Sequence, residues 1–196
     1  NAAQARIRLG LALLLSDRSS DAIQELENAL PNLADPTLKS EALAIIGRCH
    51  VADKQFEEAA AAFEQSLTAK PDRPQTDQTL LALADVYRRL DRMPDSTARL
   101  ERLTHDFPKS PVAEEATFRL GEAEYAQEKF ETAIAHYTAV VSGWPAGTFA
   151  AHAQYGLCWS YYKKQDFAKC VGAVTTLNER YATSELAEKS LYVRAM

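Results

Sequence analysis

The sequence predicts an all-α, stacked array of antiparallel helix pairs, and three observations predict it. Small residues recur at a constant step of 37: Gly10, Gly47, Ala84, Gly121, Cys158 and Ala195. Self-similarity at a period between about 20 and 50 residues marks stacked repeats rather than a globule around one core. Around each small residue, apolar positions recur three and four apart, the spacing of one helical face. No stretch alternates polar and apolar residues long enough to argue for a strand.

The expected single array runs over 1–196, and its first repeat, 3–37, pairs helices over 3–16 and 19–33. Within it, Leu9 to Leu15 follows Arg6 and Arg8 in the manner of a signal peptide. That run is too short to span a bilayer, lacks a cleavage pattern and carries Gly10 in register, so it reads as a buried repeat helix. The second repeat, 38–75, has helices over 38–52 and 55–69 and closes at Pro71. The third, 76–111, has helices over 76–90 and 93–106 and closes at Pro108. Ser110-Pro111 then reads as an N-cap with proline in the first turn of the next helix. The fourth repeat, 112–148, has helices over 112–127 and 129–143 before Pro145, and the fifth, 149–183, has helices over 149–164 and 166–181. The first helix of a sixth repeat occupies 185–196.

Each small residue follows a large aliphatic one (Leu9, Ile46, Leu83, Leu120, Leu157), and a second small residue stands twelve further on, at Ala22, Ala59, Ser96, Ala133 and Cys170. Paired small residues on facing helices let two backbones approach closely. Four residues later comes a bulky one: Leu26, Phe63, Leu100, Tyr137 and Val174. Phe56, Met93, Phe130 and Phe167 open the second helices, with Ser19 the exception.

Small, large, aromatic and proline residues at these offsets resemble the tetratricopeptide repeat family over essentially the whole chain. Gly121, Tyr125, Ala133, Tyr137 and Pro145 carry the resemblance best, followed by Gly47, Ala59, Phe63 and Pro71. The family's usual period of about 34 is exceeded here by longer helices or turns. The first repeat lacks the aromatic and the terminal proline, and the fifth has Cys158 and Ala182 where glycine and proline are usual. The linkers at 107–113 and 181–187 are similar to those of bacterial cell-envelope members, among them the Tol-Pal-associated periplasmic protein and the β-barrel assembly lipoprotein.

The resemblance implies a right-handed superhelical solenoid whose first helices line a concave groove. On that register Arg48, Asp85, Arg88 and Arg89 make a charged middle, with Glu122 beside them on the next row. Phe118, Tyr125, Tyr155, Trp159 and Tyr162, with His152 nearby, make an aromatic end. Rigid aromatic surface with polar tips suits a peptide groove, because it offers contact area at little entropic cost. Core packing is the rival reading for Phe118 and Tyr155, and a solvated or ion-paired face is the rival for the arginines. A lysine-and-asparagine clamp for a partner's terminal carboxylate is absent, since those rows hold Leu81 with Asp85 and Phe118 with Glu122.

Cys158 and Cys170 occupy the paired small positions of the fifth repeat, where either a disulfide or plain packing fits. His50, His105, His136 and His152 show no metal-ligand spacing, and there is no CxxC, HExxH, phosphate loop or GxSxG. No metal, cofactor or catalytic residue is therefore expected. With 22 basic against 27 acidic residues, the net charge is -5 and no basic stripe invites nucleic acid. No segment is expected to insert into a membrane.

The expected function is a non-catalytic scaffold that binds a protein or peptide segment in the groove, in a periplasmic or envelope-associated setting or else a cytoplasmic one. One alternative is a structural arm that self-associates as a homodimer through its apolar N-terminal helix, whose leucines point all round. An upstream repeat is the preferred explanation of that helix, with self-association its rival, and the chain reads as a piece of a longer protein. The other alternative is an accessory domain of an enzyme encoded outside the segment.

Overall fold

The computed structural model describes the backbone of residues 2–195 and the side chains of residues 2–193. Met196, expected to end the last helix, lies outside the described residues, as does the side chain of Ala195. All regular structure among the described residues is helical. In chain order it comprises α1 (Ala2–Leu15), α2 (Ser19–Ala29), α3 (Pro36–Ala52), α4 (Phe56–Ala69), α5 (Thr76–Arg89) and α6 (Met93–Asp106). There follow α7 (Ala113–Ala126), α8 (Phe130–Gly143), α9 (Ala150–Lys163), α10 (Phe167–Arg180) and α11 (Glu185–Ala195).

The chain forms two compact units, Asn1–Arg99 and Leu100–Met196. The N-terminal unit has a core of Ile7, Leu26, Ala42, Ile45, Ile46 and Cys49. The C-terminal unit is built on Phe118, Tyr137, Val140, Leu157, Val174 and Leu177.

Within each hairpin the turn is the same. Asp17, Lys54, Asp91, Glu128 and Gln165 take left-handed backbone conformations with φ between 57° and 61°. Each is followed by an N–H that reaches back five residues: Arg18 to Leu13, Gln55 to His50, Arg92 to Tyr87, Lys129 to Glu124 and Asp166 to Tyr161, at 2.8–3.0 Å. This closure satisfies carbonyls orphaned at the helix end. It tolerates non-glycine residues in a conformation that costs about 1 kcal/mol or more for an L-residue.

Between hairpins the chain turns at proline. Pro71, Pro108 and Pro145 each stand two residues beyond the last residue of α4, α6 and α8. The same offset holds after α2, which stops at Ala29 ahead of Pro31 instead of running to residue 33. Pro31 has no N–H to continue the ladder, and residues Leu30–Asn32 tighten into a 3₁₀ turn. The first repeat therefore does have a terminal proline, at a shorter distance than the register suggests. The chain then re-enters helix early, at Pro36, where the Asp35 carboxylate accepts from Thr37 N–H at 2.8 Å. Ser110 is not the N-cap of α7, a position that Val112 takes two residues later. Its hydroxyl accepts from Val112 N–H at 3.1 Å in the turn that precedes α7.

The facing small residues bring each helix pair together. Ala22, Ala59 and Ala133 are fully buried, and Ser96 Oγ donates across the α5–α6 hairpin to the Ala84 carbonyl at 2.7 Å. The glycines sixteen residues before Leu26, Phe63 and Tyr137 have no room for a side chain. A Cβ at Gly10, Gly47 or Gly121 would lie 2.6–2.7 Å from those residues.

Two glycine substitutions separate this seating from helix propensity. Gly121→Ala places a methyl against the Tyr137 ring, and we expect a net destabilisation of about 1–2 kcal/mol in urea unfolding, despite alanine's better helix propensity. Gly172→Ala, on α10 with nothing near the added carbon, is expected to stabilise by roughly 0.5–1 kcal/mol.

Candidate functional site

In the C-terminal unit, α7 and α9 present their aromatic residues toward a shared concavity of about 550 Å³. Its wall contains Phe118, Glu122, Tyr125, Tyr155 and Trp159, which the groove register selects, and His152, which the sequence places near them. Tyr137, Gly156, Lys163 and Leu186 complete it. Tyr137 is the bulky residue of α8, and its ring is wedged between two glycines: a Cβ at Gly121 or at Gly156 would lie 2.6 Å from opposite ring edges. Gly156 carried a signal in the sequence, a second glycine on the first helix of the following repeat, but it lies outside the small-residue register.

The rings are locked by one another. Phe118 is buried and stacks on Phe149 with centroids 5.1 Å apart, so it serves the core and the wall together. Tyr155 meets Trp159 edge to face at 6.3 Å, Trp159 meets Tyr162 at 5.8 Å, and Tyr162 meets Phe167 at 6.1 Å. Such edge-to-face pairs each contribute roughly 0.5–1.5 kcal/mol beyond area burial. Tyr162 thus braces Trp159 from behind and is not among the residues lining the concavity. Three residues along a helix rotate a side chain by about 60° from its neighbour's direction, enough to take it off the open face.

Trp159, Tyr125 and Tyr155 are half-buried, whereas Glu122, His152 and Lys163 are exposed. Burial, followed by the neighbouring Tyr155, pushes the Tyr125 phenol above its ordinary value. Burial pushes Tyr137 up strongly, with Glu122 and Tyr125 adding to it. Both phenols are therefore neutral at physiological pH.

The charged residues of the groove register belong to the N-terminal unit and divide between two environments. Asp85 pairs with Arg88 Nη2 and with Arg89 Nε, both at 2.7 Å, along the exposed side of α5. Burial pushes the Asp85 carboxyl up, but the hydrogen bonds from Arg89 and Arg88 outweigh it and hold the group below the usual carboxylate range. The Arg89 guanidinium also lies over the Phe56 ring at 5.3 Å. One carboxylate thus pairs with both arginines, which stand three and four residues along the same helix. Arg48 lines a separate cavity of about 410 Å³ with Glu41, Ala44, Ile45 and Arg73. Arg73 comes from the α4–α5 turn, a segment the helical register passes over.

Cys158 and Cys170 are free, buried thiols, as is Cys49. This corrects the disulfide reading. Cys158 Sγ donates to the Gln154 carbonyl of its own helix at 3.2 Å, and both side chains pack in the core as small residues. Among the described residues no group of three His, Cys, Asp or Glu side chains is arranged to hold a metal ion. Nor is any helix there long and apolar enough to cross a membrane.

Comparison with known proteins gives the architecture a family. A tetratricopeptide repeat model matches residues 81–148 and another matches residues 40–73, together just over half the chain. The chain belongs to the tetratricopeptide repeat family. Solved structures agree in fold. YrrB, described as a tetratricopeptide repeat protein with an unusual peptide-binding site, is 19% identical with a TM-score of 0.75, over 95% of this chain and 90% of its own. MamA from Desulfovibrio magneticus RS-1 is 16% identical with a TM-score of 0.72, over 94% of this chain and 98% of its own. A tetratricopeptide repeat protein from Parabacteroides merdae is 12% identical with a TM-score of 0.76, over 98% of this chain and 73% of its own. No curated protein sequence matches the chain. The tetratricopeptide repeat fold supports a role as a protein–protein interaction scaffold.

The thiols give a direct check on the cysteine chemistry. Burial raises the Cys49 thiol to about 11 and the Cys158 thiol to about 12, and raises Cys170 as well. Thiolate is the reactive form, so at pH 8 the folded chain should react slowly with Ellman's reagent. In guanidinium without reductant, three thiols should appear; one alone would mean that Cys158 and Cys170 are bridged.

Proposed function

We propose that this tetratricopeptide repeat chain is a non-catalytic peptide-binding scaffold whose C-terminal unit anchors an apolar side chain of its partner in the aromatic concavity. The observation that carries this reading is the roughly 550 Å³ space walled by Phe118, Tyr125, Tyr137, Tyr155 and Trp159. Pockets of this size, mostly apolar with a few polar groups at the rim, are the usual form of a binding site. The mechanism is preorganisation. The rings hold each other edge to face before any partner arrives, so little side-chain freedom is lost on binding. Glu122 and Lys163, exposed in the wall, orient the polar backbone of the bound segment. YrrB, whose fold this chain shares, is described as having a peptide-binding site, which is consistent with the reading. The linkers at 107–113 and 181–187 favour a bacterial envelope setting.

A second reading, self-association, is favoured by α1. Leu9 is 48% and Leu15 73% exposed on a helix whose only buried residues are Ile7 and Gly10. A second copy covering these leucines would remove apolar surface from water. On this reading, light scattering finds a concentration-dependent dimer, and Leu9→Gln with Leu15→Gln returns it to monomer.

For the main reading, the test is Trp159→Ala against a peptide selected by display on the intact chain. We expect affinity to fall by about 2 kcal/mol or more, the loss typical of an aromatic anchor, with the helical circular dichroism unchanged. Equal affinity in the folded variant removes Trp159 from the site.

A further inference from the structure

The rings of the aromatic concavity carry polar tips that the protein itself leaves unused. Tyr137 is only 4% exposed, and its hydroxyl makes no hydrogen bond to any described residue. That hydroxyl is not sealed from solvent. The little surface Tyr137 keeps therefore includes it, and the space it meets is the concavity whose wall the ring completes. The Tyr125 and Tyr155 hydroxyls and the Trp159 indole N–H likewise find no partner among the described residues. An indole can only donate, and a neutral phenol keeps its O–H to donate as well. Burial raises the Tyr125 and Tyr137 phenols and holds those protons in place. Covering donors without supplying acceptors is costly, so the occupant that suits this space brings acceptors with it.

The wall offers no net charge to a partner. Its ionic side chains are one of each sign, Glu122 and Lys163, and Glu122 already interacts within the protein. The matching group is a neutral one with a flat apolar body and an open carbonyl. Most residues of an extended peptide bring one N–H for every carbonyl, and that N–H would need an acceptor among tips that are chiefly donors. Proline has no N–H. In a polyproline II segment the carbonyls make no internal hydrogen bonds and stay free to accept. The pyrrolidine ring supplies the apolar face that aromatic-lined grooves dock. Such a segment is extended before it binds, so it loses little freedom against rings already locked edge to face.

On the peptide-binding reading above, on which this rests, we propose that the apolar anchor is a proline of a polyproline II segment, its ring against Tyr155 and Trp159 and a carbonyl accepting from Tyr137.

The test follows the Trp159 indole N–H signal of the intact chain by NMR, told from that of Trp144 with Trp159→Phe, during titration with acetyl-hexaproline amide. A saturable shift is expected. An acetylated hexapeptide alternating serine and leucine offers apolar side chains on a backbone that keeps its N–H groups, and should bind at least about tenfold more weakly. Tyr137→Phe keeps the ring between Gly121 and Gly156 and removes only the hydroxyl. It should weaken hexaproline about fivefold, the loss of one neutral hydrogen bond, with the melting temperature unchanged. Tighter binding of the serine–leucine peptide, tighter binding of hexalysine at physiological ionic strength, or a hexaproline affinity indifferent to Tyr137→Phe would each overturn the assignment. So would a Trp159 signal that moves on dilution alone, the mark of a second copy in the space. The display-selected peptide, run in the same titration, separates the two readings. If it shifts Trp159 and hexaproline does not, the proline assignment falls and the peptide-binding reading stands; if neither does, both fall.

Discussion

Three of the hairpins depend on one contact, a bulky side chain of the second helix resting against a first-helix residue that has no side chain. Leu26 rests on Gly10, Phe63 on Gly47 and Tyr137 on Gly121. Glycine in a helix interior costs roughly 0.5–1 kcal/mol relative to alanine. Full burial of one large apolar side chain contributes roughly 1.5–3 kcal/mol, so the seated residue outweighs the local penalty. The fifth repeat keeps the balance by another route, with Cys158 at the small position and the shorter Val174 sixteen residues on. The fully buried Ala22, Ala59 and Ala133 complete the approach from the other side.

The same contact shapes the aromatic concavity. Tyr137 is held at Gly121 on α7 and also at Gly156 on α9, so two first helices share one ring as a spacer. The ring's position sets the separation of the two walls and leaves its surface at the base of the space. Phe149 ties the next turn back to α7, its N–H donating to Glu114 Oε1 at 2.6 Å. The concavity is therefore a product of hairpin packing, and the rings that line it are held by the core beneath.

The helices were legible in the sequence because the period repeats what packing demands. The first residues of α2, α4, α6, α8 and α10 are Ser19, Phe56, Met93, Phe130 and Phe167, the column that the register selects. Pro31 was misread for a physical reason: the register counts residues, whereas a helix ends where its N–H donors run out. The turn residues from Asp17 to Gln165 also keep the period, yet they are polar, varied and never glycine, so nothing in their chemistry announces a left-handed backbone. At the site, periodicity found the residues that share a helix face, such as Tyr155 and Trp159, and it missed those that enter from elsewhere. Tyr137 comes from a second helix, Leu186 from α11 and Arg73 from a turn. The pairing of Arg88 and Arg89 with Asp85 was likewise invisible to rows drawn across repeats, because it runs along a single helix.

Arg73 stands apart because no feature of the fold requires it. The closing proline of its turn, Pro71, stands two residues earlier, and the donors it supplies to Gln75 and Thr79 need no positive charge. A neutral side chain of similar length would fill the place without carrying a buried cation. Natural sequences conform to local rules except where a function offsets the cost, and breaches of this kind mark sites more reliably than charge alone. Exposed pairs such as Arg88–Asp85 obey the rules and contribute little. A buried guanidinium beside an open cavity, its Nε without a hydrogen-bond partner, breaks them.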